Sequence, residues 1–320
     1  MSMKIPAVIL FFLSPLVAEF LLGNLPITML PALLVLAPFY GGGALLIREA
    51  VRHTRRGWLS IFLLGLVYGI FEEAFTTQSL FNPDYLKLNL HLLDPAYIPA
   101  LGIGAWWTIF VLTLHTVWSI ATSIALAEAL VPDQATTPWL GRIGIVVSGA
   151  LFVFGAVATT YLTLKHDRFV ASPWQFAPAA ILCVALTVAA FRLPKSISAR
   201  PSGWVPNPWL AGTGALATGS CFMLIPQKWG WGAVAVYMIL DFLMIAAAFR
   251  WSQREGWDGR HRLGLAGGAA LAYAWHAFLQ PPVIGGGGRT IILIGNTVFA
   301  LGAVVLLTIA ARRQTHPLPR

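Results

Sequence analysis

A chain of 320 residues that is 58% apolar and only 10% charged is not an ordinary soluble domain, in which about a quarter of residues carry charge. With a mean hydropathy of +0.74 and repeated apolar runs near 20 residues, it reads as an all-α polytopic membrane protein, a single integral domain over 1–320. The formal charge of +9 sits in short loops rather than on a basic soluble face, so the expected partner is the lipid bilayer and not nucleic acid.

The hydropathy pattern predicts ten spans, at 5–23, 27–47, 58–80, 105–130, 143–164, 174–193, 208–226, 230–250, 263–281 and 290–311. The first resembles a signal peptide behind Lys4, and is expected to stay as an uncleaved anchor because another span begins almost at once. With both termini inside, the inner segments, including Lys195, Arg200 and Arg320, hold 16 of the 21 Lys and Arg. The outer loops hold only Lys87, Lys165, Arg168, Lys228 and Arg289. That bias is the positive-inside rule, and it predicts a multi-pass protein of the cell membrane. Trp residues near span ends, Trp58, Trp139 and Trp174 among them, read as an interfacial belt, with Trp118 and Trp275 deeper. The apolar outer segment 81–104 is expected to lie on the interface over the third and fourth spans. The paired glycines Gly42-Gly43 and Gly267-Gly268 read as close helix-packing faces.

The third span carries two adjacent acids, Glu72 and Glu73. An ionisable group in a bilayer core costs roughly 2.5 to 3.5 kcal/mol on insertion scales, so a pair needs a reason. At 1.5 Å per residue, Glu19, Glu72 and His276 lie about 20 Å above the inner end of their spans. His115 and Asn296 lie roughly 15 and 9 Å below the outer ends of theirs. All five fall in the outer half of a core about 30 Å thick. If they meet, His115 and His276 with one or two carboxylates suit Zn²⁺ or a similar divalent ion, with a position left for water. Glu72 and Glu73 are the catalytic candidates, Glu19 and Asn296 supporting ones. Side chains adjacent on an α-helix point about 100° apart, so one acid is expected to ligate or act as base while the other orients a neighbour. Without a metal the same groups suit general acid–base hydrolysis or a proton relay. The bland reading makes each histidine a neutral core residue bonded to a neighbouring helix, and the acids a structural pair. Glu128 reads as interfacial; His91, in the outer loop, is a remote addition to the site.

Adjacent glutamates on one span, a histidine on the next and a second on a later one resemble the CAAX-protease and bacteriocin-processing intramembrane proteases. That family's signatures are EExxxR, FxxxH and HxxxN or HxxxD. Here the first reads Glu72-Glu73 followed by Thr77 in place of Arg; the second has Val111 four residues before His115; the third is His276 followed by Gln280. The resemblance covers these three patches. It implies a metalloprotease-like intramembrane hydrolase acting on a membrane-anchored or lipidated peptide. In it Glu72 and Glu73 activate water, His115 and His276 bind metal or stabilise an oxyanion, and Gln280 supports them. Two other classes fit the composition: a proton- or cation-coupled transporter using Glu72, Glu73 and Asp241, and a non-catalytic membrane scaffold.

Reporter fusions test the topology directly. Fusions after residues 56 and 258 should report cytoplasm, and fusions near 90 and 286 the outer side; reversal at any two sites contradicts the ten-span arrangement.

Overall fold

The computed structural model describes residues 4–193 and 201–315. Among them ten helical rods follow one another: α1 (4–21), α2 (Ile27–His53), α3 (Trp58–Thr76), α4 (Ala105–Ala129), α5 (Arg142–Asp167), α6 (Pro173–Arg192), α7 (Pro208–Leu224), α8 (Trp231–Ser252), α9 (Gly259–His276) and α10 (Arg289–Thr315). Seven of them, α2 to α6, α8 and α10, are long and apolar enough to cross a membrane; α1 is a shorter apolar helix. The fold is thus the all-α polytopic one the composition demands, with ten rods of which seven meet the length and hydropathy of a span.

Contacts between loops confirm the alternation of ends. At one end Arg313 Nη1 donates to Leu130 O and Arg56 to Leu193 O, while Glu255 N donates to Pro201 O. At the other, Val283 N donates to Asn24 O and Gln227 Nε2 to Leu90 O. The first end is the basic one, the end that the positive-inside rule expects to be cytoplasmic. Lys195, Arg200 and Arg320, also assigned to it, lie outside the described residues.

Two span boundaries shift for physical reasons. The span read at 58–80 ends as a helix at Thr76, because Gln78 takes a left-handed backbone (φ 55°) that a helix cannot continue. The span read at 263–281 starts earlier, at Gly259, where the Asp258 side chain caps the N–H groups of Arg260 and His261. Burial opposes ionisation of Asp258, but hydrogen bonds from His261 and Arg260 hold its carboxyl below the ordinary value.

α7 and α9 pack backbone to backbone. A Cβ on Gly268 would lie 2.7 Å from Leu216 N and 2.9 Å from Ala215 Cβ, so only glycine fits. The lipid-facing sides of α5, α6, α8 and α10 carry the exposed apolar residues, such as Val146, Ile181, Phe242 and Leu301. The outer segment 81–104 forms a strap rather than a free loop. It holds a two-residue antiparallel hairpin, β1 (Tyr97–Ile98) on β2 (Ile103–Gly104), and buries Phe81, Leu92 and Ala96 in the core. Asn82 Nδ2 and Leu86 N both donate to Asp167 Oδ2 at the end of α5.

The basic end holds a buried ion network. Arg48 is fully buried, and Glu128, read as interfacial, is 3% exposed. Glu128 accepts from Arg48 Nε at 3.1 Å and from Arg52 Nε and Nη2 at 2.8 and 2.7 Å. Glu49 accepts from Arg48 Nη1 and from the backbone N–H groups of Trp139 and Leu140. Arg48 Nη2 donates to the carbonyls of Gln134, Ala135 and Thr137. Trp139, expected in the aromatic belt, is instead buried with the Arg48 guanidinium 3.3 Å from its ring centroid. Charges survive here because every one has its counterion and its hydrogen bonds.

Gly268→Leu should overpack the α7–α9 contact and cost about 1–3 kcal/mol or more. A lower midpoint for thermal unfolding in detergent is the expected result; an unchanged midpoint contradicts the close packing.

Candidate active site

The polar residues of four helices meet one turn inside the outer end of α3, and each is presented by a stretch of π-helical winding. These stretches are Leu16–Leu21 in α1, Ala37–Gly41 in α2, Phe71–Thr76 in α3 and Leu114–Thr122 in α4. A π-turn closes i→i+5, as in Thr77 N donating to Glu72 O at 2.9 Å, and it re-aims side chains relative to the α-helix on either side. Proline explains two of the stretches. Pro15 and Pro38 cannot donate within their helices, and the π-winding begins after the first and around the second.

His115 is the hub. Its Nε2 lies 2.7 Å from Glu73 Oε1, and its Nδ1 lies 3.3 Å from Glu72 Oε2. The imidazole therefore sits between the two adjacent acids, which approach it from opposite ring nitrogens. The two acids stay close on one imidazole although they are adjacent in the chain. The wider π-winding turns less per residue, and Gly69, one turn before Glu73, lets α4 come close: a Cβ there would be 3.0 Å from His115 Cβ. Glu73 is further held by Thr77 Oγ1 at 3.0 Å and by the Ser79 hydroxyl, which in turn accepts from Trp107 Nε1 at 2.9 Å.

On the other side, the Tyr40 hydroxyl bridges Glu72 Oε1 at 2.6 Å and Glu19 Oε1 at 2.7 Å. Asn24 Nδ2 donates to Glu19 Oε2 at 3.3 Å. Two hydrogen-bonded runs, Glu19–Tyr40–Glu72 and His115–Glu73–Ser79–Trp107, thus meet where His115 Nδ1 faces Glu72 Oε2 at 3.3 Å. Glu72, Glu73 and His115 are 3, 6 and 6% exposed, so the centre is shut off from bulk solvent. Glu72 Oε2 and the Tyr68 hydroxyl are buried without a hydrogen-bond partner among the described residues. Above the site, the strap lays the half-buried Tyr85. Burial pushes its phenol well above the ordinary value, and the negative charges of Glu73, Glu72 and Glu19 add to that.

Glu72, Glu73 and His115 each offer one ligand atom, and these atoms lie within 4.8 Å of one another. One imidazole and two carboxylates are a donor set for a borderline or hard divalent ion, and the unpartnered Glu72 Oε2 is an acceptor such an ion would satisfy. His276 is not in this group. It sits at the end of α9, where the neighbouring Ala277 packs against Gly23, and its Nδ1 is buried without a partner.

Gln280 and Asn296 act as staples: Gln280 Nε2 donates to Leu22 O at 2.9 Å and Asn296 Nδ2 to Ala277 O at 2.6 Å. Both bonds tie the end of α9 to neighbouring helices, and neither touches the acids. Glu19 does join the site, through Tyr40. Asp241 accepts from Thr113 Oγ1 at 2.8 Å between α8 and α4, and His91 is exposed beside Asp94. Tyr40 and Ser79 escaped the sequence reading, which met Thr77 only as the residue in place of a motif arginine.

No curated protein and no solved structure matches the chain. A family model does match, over residues 8–311, with the description of an uncharacterized membrane protein family. The chain belongs to that family of integral membrane proteins.

Proposed function

We propose that this centre hydrolyses a peptide bond in a membrane-anchored or lipidated substrate. The observation that carries the reading is the imidazole of His115 held between two adjacent buried carboxylates beneath an apolar strap. Acids so placed are costly as mere packing, whereas hydrolysis needs both a base for water and an acid for the leaving amine. Glu72 Oε2 is the acceptor without a competing hydrogen bond, so it takes the proton of the attacking water. The scissile C–N bond then breaks, and the amine takes a proton delivered through Glu72 Oε1 and the Tyr40 hydroxyl, with Glu19 as the reserve. Glu73, fixed by Thr77 and Ser79, orients His115 and balances its charge. A divalent ion on Glu72, Glu73 and His115 would polarise the carbonyl and acidify the water. The resemblance to the CAAX-protease and bacteriocin-processing family supports the same reaction class on Glu72, Glu73 and His115; it also implicates His276, which lies outside their group of ligand atoms.

A second reading rests on a specific observation, the bridge of one tyrosine hydroxyl between two carboxylates. A row of close polar contacts from Glu19 to Glu73 suits proton or cation translocation. Asp241, bonded to Thr113, stands outside that chain.

Proteoliposomes loaded with farnesylated and transmembrane peptides separate the two. Hydrolysis predicts new peptide termini by mass spectrometry, lost about 10²–10⁴-fold in Glu72→Gln and kept in His276→Ala and Asp241→Asn. Zinc retained after purification should follow the same pattern, falling in His115→Ala and not in His276→Ala. No cleavage by the wild-type chain, or full cleavage by Glu72→Gln, overturns the hydrolase. Proton flux that Tyr40→Phe abolishes, without new termini, establishes the relay instead.

A further inference from the structure

Asp241 belongs to neither of the charged networks described above. It follows Trp231, the first residue of α8, by 10 positions. At 1.5 Å per residue it lies about 15 Å below the outer end, in the middle of a core about 30 Å thick. Its side chain is half-buried. Oδ2 accepts from Thr113 Oγ1 of α4 at 2.8 Å, and no Lys, Arg or His pairs with the carboxylate among the described residues. A carboxylate at that depth is costly, and one hydroxyl does not replace the water it has lost.

The surroundings point to a counter-charge from outside the chain. Tyr237, one turn before Asp241, is buried against Phe110 and Phe222, with ring centroids 6.0 and 4.4 Å away. Aromatic packing therefore closes the outer side of the acid. A proton relay needs a further acid or imidazole in reach, and a metal needs further ligands; Asp241 is in no such group among the described residues.

Past Tyr237 the helix comes away from the bundle. Ala233, Val234 and Tyr237 are buried, whereas Leu240, Asp241 and Met244, the next positions on that face, are only half-buried. Met238, Phe242 and Ile245 are exposed one turn before, next to and one turn after the acid. The lipid side thus meets an apolar helical stripe with one carboxylate at its centre. An apolar stripe suits lipid tails as well as it suits a helix, so the acid decides what fits: a basic group at the same depth. The chain's own Lys and Arg lie in loops or near helix ends, so a second copy cannot bring one to mid-bilayer.

We propose that the α8 face centred on Asp241 is the docking site for a transmembrane helix of another membrane protein, one that presents a Lys or Arg at mid-bilayer depth to the Asp241 carboxylate.

The test uses the full chain, with a fluorescent donor at its C-terminus, in phosphatidylcholine bilayers. The probe is an acceptor-labelled Leu–Ala transmembrane peptide with one central Lys; the control peptide has Leu there. Energy transfer should saturate with the Lys peptide at a mole fraction at least about tenfold below the control, roughly 1.4 kcal/mol. Asp241→Asn, which keeps an acceptor for Thr113, should bring the two peptides level. Asp241→Lys should instead prefer a peptide with a central Glu, a reversal that a merely structural role would not produce; Asp241→Asn decides alone if that variant does not fold. Equal binding of the two peptides by the wild-type chain overturns the proposal, as does a preference for Lys that survives Asp241→Asn. A preference lost in Glu72→Gln but kept in Asp241→Asn places the peptide at the outer acids and also overturns it. Energy transfer between copies of the chain, lost in Asp241→Asn and indifferent to the Lys peptide, makes a second copy the occupant and overturns it equally.

Discussion

An ionised side chain in the bilayer core has no water to turn to, so it persists only where the protein supplies a counter-charge and hydrogen bonds. The architecture answers that constraint twice. At the outer end Glu19, Glu72 and Glu73 are gathered around Tyr40 and His115. At the basic end Glu49 and Glu128 are gathered around Arg48 and Arg52. The helices α2 and α4 contribute to both networks, Tyr40 with Arg48 and His115 with Glu128. They are therefore tied together at two levels, and the remaining helices pack around that pair. Two differences set the ends apart. The inner network is saturated, with each charge matched and carbonyls taking the spare guanidinium protons. The outer network has an excess of acids, and its Glu72 Oε2 has the His115 Nδ1 contact at 3.3 Å but no hydrogen bond among the described residues.

The backbone carries the cost of that arrangement. Four helices depart from α-winding where they present Glu19, Tyr40, Glu72 with Glu73, and His115. A π-turn is rare and recurs at functional positions, because it forfeits regular hydrogen bonding to turn a side chain. Gln78, in a left-handed conformation just past the acids, adds a further strained position, and its side chain is anchored by accepting from Ala171 N at 2.8 Å. Packing does the rest: Gly69 admits His115 against α3, and Ser14 Oγ donates to Ser119 O at 2.8 Å to bind α1 to the π-stretch of α4.

Much of this was legible in the chain. Hydropathy and the alternation of basic loops located ten rods, because the bilayer imposes both signals along the sequence itself. The depth argument singled out Glu19, Glu72, Glu73 and His115, and these do converge. It also singled out His276, which lies outside the group of ligand atoms, and Asn296, which bonds to Ala277 O instead; depth is a one-dimensional coordinate, and helix order in the plane is not written in any one span. Tyr40 was invisible because a tyrosine in an apolar span is compatible with packing anywhere. Glu128, read as interfacial, was misplaced for the opposite reason. Charges near span ends are usually solvated, and only the return of the 130–140 loop over α2 buries them. The π-windings had a partial signal in Pro15 and Pro38 and none in α3 or α4.

A double-mutant cycle on His115 and Glu73, read as unfolding free energy in bilayer-mimetic conditions, tests the central pairing most directly. His115→Asn and Glu73→Gln should each be strongly destabilising, by about 3–5 kcal/mol, because each leaves a buried charge alone. The double variant should cost little more than either single one, a coupling of several kcal/mol. Additive losses, with a coupling below about 0.5 kcal/mol, would mean that the imidazole and the carboxylate do not depend on each other, and would contradict the account.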